Sequence, residues 1–135
     1  MIKGDIKNRG DVELLVHTFY GKVRKHDVLG PIFNGIIDDW PHHLEHLSDF
    51  WEMILLQTGP GRGKFNPVRV HREVDQKVGY GIEQAHFGNW LELWFDTLIN
   101  NFEGEVADYA KEHARNMAGI LFFRIYDNRP HTKAN

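Results

Sequence analysis

An all-α fold is predicted by three features of this sequence. Apolar residues recur at three- and four-residue spacing through five long segments. No stretch alternates apolar and polar residues with the period of a strand. The clusters of glycine and proline fall between the periodic segments rather than inside them. With 135 residues, no repeat and no low-complexity linker, the chain is expected to form one domain over 1–135, large enough to bury a core without staples.

The first helix is expected over 11–26, "DVELLVHTFYGKVRKH", whose apolar positions 12, 15, 16, 19, 20 and 23 make one buried stripe. Asp11 suits its N-cap, and Lys22, Arg24 and Lys25 suit its negative C-terminal end. In "DVLGPIFNGIIDDW", Gly30, Pro31 and Gly35 interrupt any long helix and leave short helical turns with Phe33, Ile36 and Ile37 inward. Pro41 fits the first turn of a helix that runs to about Gln57, where "TGPGRG" ends it. Asn66 and Pro67 read as cap and first residue of a shorter helix through about Lys77, stopped by "GYG". A long helix follows from about Glu83 to Asn101. The last runs from about Glu105 to Tyr126, with its stripe at 107, 110, 114, 117, 118, 121 and 125.

Composition closes several functional classes. A net charge of −3 without runs of like charge gives no footprint for nucleic acid. The absence of cysteine excludes disulfides, iron–sulfur clusters, blue copper, thiolate-ligated haem and covalent haem attachment through CxxCH. "MIKGDIKNRG" lacks the apolar core of a signal peptide, and no apolar run reaches membrane-spanning length, so a cytoplasmic protein without membrane contact is expected. Four Trp, nine Phe and four Tyr, beside nine His, exceed what a small helical core requires and leave room for a flat apolar ligand.

The histidines of "WPHHLEHLSDFW" (40–51) divide between two faces of one helix. His43 lies four and seven residues before Leu47 and Phe50 and shares their buried side. His42 and His46 form an i, i+4 pair that continues into Asp49 and Met53 on the polar side. A zinc site from that pair with Asp49 lacks further ligands and the HExxH pattern, so a solvated pair is the preferred reading. His43 is either a core histidine bonded to a carbonyl or a group acting inside a pocket. His71 in "NPVRVHREV" follows Val68 by three residues and precedes Val74 by three, again on an apolar stripe, where a lone histidine is more often structural than a ligand. Two inward histidines on successive helices, with Tyr20 and Trp90 on the buried stripes of two others, suit a planar ring addressed from both sides. Haem is the common cofactor that demands this arrangement.

"TFYGKVRKHDVLGPIF" (18–33), "DWPHHLEHLSDFWEMIL" (39–55), "NPVRVH" (66–71) and "HFGNWLELWFDTL" (86–98), in this order and spacing, resemble the truncated, two-over-two haemoglobins of group III. The resemblance extends from about residue 8 to 126, and the absence of any Gly-Gly pair agrees with group III. It implies a shortened globin fold, a two-over-two helical sandwich around haem b (iron protoporphyrin IX) with iron held by one histidine. His71 would be the proximal iron ligand, and His43, Tyr20 and Trp90 the distal groups. Phe33 would pack on the haem edge, with Leu47, Phe50, Trp51 and Leu91 completing the pocket. Lys64, Arg69 and Arg72 flank His71 and are candidate partners for the haem propionates. "GPGRGK" is not a phosphate cradle, because Phe65 stands where Ser or Thr is needed and no strand precedes it.

The resemblance further implies binding of O2, NO, CO or other small haem ligands. Tyr20, Trp90 and His43 are all hydrogen-bond donors able to stabilise a ligand that gains negative charge. Strong donors suit ligand retention or NO dioxygenase-like or peroxidase-like redox work better than oxygen delivery. Such work needs an external electron donor or reductase, since the globin-like segments leave no flavin or nicotinamide domain among these residues. A haem-based sensor or interaction module, and a cofactor-free helical binding domain, are the alternatives. Histidines 17, 26, 42, 46, 86, 113 and 131 read as solvated or capping, with His86 open because it stands one turn before Trp90.

Overall fold

Asn8, rather than Asp11, turns the chain into its first helix. Its side chain accepts the Asp11 N–H at 2.9 Å, so α1 (Arg9–Lys25) starts two residues earlier than its apolar stripe suggested. Asp11 lies in the first turn, where its carboxylate accepts the Lys7 N–H at 2.8 Å and suits the positive helix end. The computed structural model describes residues 3–60 and 67–130. Five more helices follow: α2 (Leu29–Ile36), α3 (Trp40–Leu56), α4 (Pro67–Lys77), α5 (Gln84–Asn101) and α6 (Glu105–Asn128). No strand occurs among the described residues, and no helix among them is long and apolar enough to cross a membrane. Lys64 and the expected cap Asn66 lie outside the described residues.

Local chemistry sets each boundary. The short turns expected after α1 are one eight-residue helix, α2. Gly30 lets α2 abut the end of α1, for a Cβ there would stand 2.7 Å from the Arg24 carbonyl oxygen. Asp39 caps α3 by accepting the His42 N–H at 3.2 Å, Pro41 occupies the first turn, and Gln57 ends it in the left-handed region at φ 59°. α5 opens with a reciprocal cap in which His86 Nδ1 accepts the Glu83 N–H at 2.8 Å. α6 is capped from the far end of the chain: the Asp5 carboxylate accepts the N–H groups of Val106 and Ala107, each at 2.9 Å. Burial pushes the Asp5 carboxyl up, but these bonds outweigh it and hold the group below its ordinary value.

α1 packs against α2, α3 and α5, while α6 packs against α4, α5 and the edge of α3. The pairs α1/α3 and α5/α6 therefore make two helical layers. Trp94 is fully buried in the core they share. Phe19 meets it edge-on at 4.9 Å, Trp51 stacks on it at 4.5 Å, and its indole N–H donates to the Ala110 carbonyl at 3.1 Å. Alanines 107, 110 and 114 form the α6 stripe here, small enough to admit that indole. Arg9 fastens the start of α1 to α3 through Asp49 at 2.6 Å and Glu52 at 2.9 Å. The principal neighbour of α4 is α6. Its other side faces a cavity.

Candidate functional site

The cavity has a volume of about 400 Å³, within the range of small-molecule and cofactor sites, and its lining is mainly apolar. All six helices contribute to it. Tyr20 from α1, Phe33 from α2 and His43 from α3 gather on one side: the Tyr20 ring stands 6.0 Å from Phe33 and 6.4 Å from His43. Trp40 backs this group, 5.8 Å from His43, with its N–H donated to Asn34 at 3.2 Å. Leu47, Phe50, Trp51 and Trp90 also line the cavity. His71 enters from α4, beside Phe87 at 6.3 Å.

Burial sets the protonation of the three polar rings. It pushes the Tyr20 phenol well above the ordinary phenol range, with a smaller opposing pull from the Trp90 indole N–H toward the phenol oxygen. Tyr20 is therefore a protonated donor at neutral pH. His43 is pushed down by burial and by the neighbouring His46 and His42. His71 is pushed down by burial, partly offset by the Pro67 carbonyl. Both imidazoles are neutral at pH 7.

His71 has its tautomer fixed. Nδ1 lies 2.7 Å from the Pro67 carbonyl oxygen, which can only accept, so Nδ1 carries the proton and Nε2 keeps a free lone pair. A ligating histidine is typically oriented in this way, with its second nitrogen held by a carbonyl. A mainly apolar cavity with one such imidazole fits a flat metal-bearing ring. The arrangement can hold one ligand to a metal and offer phenol, indole and imidazole groups to a small molecule beside it.

Other expected residues take different places. Leu91 packs against the core but does not line the cavity. Arg69 is exposed, and Arg72 donates to the Arg124 carbonyl on α6 at 3.3 Å; neither lines the cavity. Lys77 does, with the exposed Asp38, Asp39, His42 and Glu73 marking the mouth. Sequence reasoning missed Lys77, although it stands one turn beyond Val74 on a stripe shared with Val70. His42 and His46 meet edge-on at 4.5 Å on the exposed face, while Asp49 is engaged by Arg9. Among the described residues no three His, Cys, Asp or Glu side chains converge as a metal site would need.

The remaining histidines split. His26 caps α2, its Nδ1 accepting the Val28 and Leu29 N–H groups at 3.1 and 3.2 Å. His86 both caps α5 and lines the cavity. His113 is neither solvated nor a cap: its Nε2 is buried without a partner, and its ring meets Trp51 at 5.8 Å. It lies three residues after Ala110, close enough to the buried α6 stripe for that packing.

No family model matches the chain. It is 29% identical over 129 residues to the group 3 truncated hemoglobin ctb of Campylobacter jejuni, covering 93% of this chain and 96% of that protein. The crystal structure of a group III truncated hemoglobin from Campylobacter jejuni matches with a TM-score of 0.81 at 28% identity, over 96% of this chain and 100% of that one. The all-helical architecture expected from the sequence, a shortened globin fold, is the one observed.

Proposed function

We infer that this chain is a truncated haemoglobin of group III and that it binds haem b non-covalently in the cavity described above. The observation that carries this reading is the His71 imidazole, neutral, turned by Pro67 and directed from α4 toward an aromatic-lined cavity. When bound, the haem supplies iron with an open position for O2, NO or CO and for one-electron chemistry.

This chain's residues set the surroundings. His71 Nε2 is the iron ligand. The Tyr20 O–H donates to a diatomic ligand, and the Trp90 N–H, directed at the Tyr20 oxygen, polarises that donor. His43, held neutral by burial, adds a further donor or acceptor. Lys77, on the cavity lining, takes the propionate-pairing role for which Arg69 and Arg72 are poorly placed. Apolar packing excludes water and strengthens each of these bonds. Tight retention of the ligand suits processing of NO or peroxide with an external reductant.

Visible spectra of the purified protein test the reading. A Soret band is expected in the parent and in His42→Ala and His46→Ala, and its loss or weakening in His71→Ala. If the double change at 42 and 46 removed the cofactor while His71→Ala retained it, the assignment of faces would be wrong.

A further inference from the structure

Four rings and an imidazole make a continuous series from the cavity to the protein surface. Trp90, on the cavity lining, stacks on Trp94 at 5.4 Å and 13°. Trp94 stacks on Trp51 at 4.5 Å and 30°, and Trp51 reaches the cavity as well. His113 follows at 5.8 Å from Trp51, and Tyr109 at 5.7 Å from His113. Trp94 and Trp51 are 0% and 2% exposed, whereas Tyr109 is 48% exposed.

Core packing explains contact between rings, but not this choice of rings or where the series ends. Indole and phenol are side chains that give up a single electron readily; phenylalanine does not. Phe19 sits edge-on against Trp90 and Trp94 as a packing partner and is no part of the series. His113 joins Trp51 to Tyr109 with an imidazole that burial keeps uncharged, so it places no positive charge in the way of an arriving hole. At the outer end Tyr109 lines a second, shallower cavity of about 240 Å³ with Ile54, Gln57 and Glu105, where a small donor has room to sit.

We propose that Trp90, Trp94, Trp51 and His113 form an electron conduit linking the cavity to Tyr109, through which phenolic donors at the surface deliver electrons for hydroperoxide reduction. The proposal rests on the haem reading above. Reduction of the peroxide at the cavity consumes two electrons and two protons: ROOH becomes ROH and water. Each electron leaves Tyr109 through the rings while its phenolic proton goes to solvent, which leaves a neutral tyrosyl radical. A phenolic donor DH then returns one hydrogen atom to Tyr109. Two rounds close the balance, ROOH and two DH giving ROH, water and two D radicals.

Haem-loaded protein, checked first for its Soret band, is mixed with hydrogen peroxide in the presence of a nitroso spin trap, and the adduct is mapped by peptide mass spectrometry. The adduct is expected on Tyr109, and a tyrosyl signal in freeze-quenched electron paramagnetic resonance is expected to vanish in Tyr109→Phe with the Soret band unchanged. In Trp51→Phe, which keeps a ring but removes the oxidisable indole, the Tyr109 adduct should fall by about tenfold, equivalent to roughly 1.4 kcal/mol on the transfer barrier. An adduct on Tyr20, Tyr80 or Tyr126 with none on Tyr109 overturns the conduit, as does an undiminished adduct in a folded Trp51→Phe protein. Protein without a Soret band overturns the haem reading itself and the conduit with it.

Discussion

Asp75 and Arg129 form a two-bond ion pair, at 2.9 and 3.0 Å, that pins the last turn of α4 to the residue following α6. Asp75 also accepts the Ile82 N–H at 3.1 Å, and Arg129 donates to the Ile82 carbonyl, so the turn before α5 is held in the same knot. Asp75 is 2% exposed. Arg129→Gln leaves that carboxylate buried without its cation, and a loss of about 3 kcal/mol in urea unfolding is expected, the lower end for a broken buried pair because Arg129 is partly exposed. Asp75→Asn with Arg129→Gln should lose less than the sum of the single changes. Strict additivity would show that the pair contributes no coupling.

On the proposed function, Tyr20 and Trp90 would act as one donor unit. A hydrogen bond to a charged acceptor is worth roughly 1.5–3 kcal/mol, so Tyr20→Phe should speed O2 release about ten- to a hundredfold. Stopped-flow displacement of O2 by CO measures it, and an unchanged rate would leave Trp90 or His43 as the dominant donor. Trp90→Phe keeps a ring but removes the N–H that acts on the Tyr20 oxygen, and release should quicken by less than in Tyr20→Phe. Parent-like release in that variant, with a change only in Trp90→Leu, would reduce the indole to a wall.

In cofactor-free protein, acid should weaken the fold before carboxylates protonate. His71, His43 and His113 all have folded values pushed down by burial. Unfolded histidines take up protons near pH 6.5, whereas these three do so only at lower pH. Their stabilisation is therefore complete above about pH 6.5 and is lost as pH falls through the folded values. Thermal midpoints measured from pH 8 to pH 5 should decline, and His113→Phe should flatten part of that decline. The same decline in His113→Phe would remove His113 from the account.

Oxidising NO with O2 to nitrate takes one electron per cycle, and this chain has no cysteine pair to provide it. An NO electrode should record one fast event per haem and then a stop until an external reductase is added. Sustained turnover without added reductant would contradict the proposed dependence.

Local spacing carried most of the architecture into the sequence. The stripe at 107, 110, 114, 118, 121 and 125 is buried on α6, and the separation of His43 from His42 and His46 followed from Leu47 and Phe50 alone. Contacts between distant positions were illegible. Asp5 caps α6 across 101 residues and Arg129 meets Asp75 across 54, and no periodicity encodes such pairings. Asn8 displaced Asp11 as the first cap because both residues suit the role and only backbone geometry separates them. Arg72, a candidate propionate partner by its place beside His71, lies off the cavity lining for a related reason. Adjacency to His71 in sequence turns a helical side chain about 100° away from it, here toward α6.

α4 rests on α6 along one side and faces the cavity along the other, so a seated cofactor would supply the missing half of its core. Loading and folding are then one equilibrium: a ligand present at a thousand times its Kd adds about 4 kcal/mol to stability. Unloaded chains should open first at α4, exchanging its amide hydrogens and admitting proteases there while α1 and α5 remain closed. Cleavage within α4 would serve as a count of empty molecules. In a cell that degrades what it can cleave, the abundance of the protein would follow the supply of its cofactor.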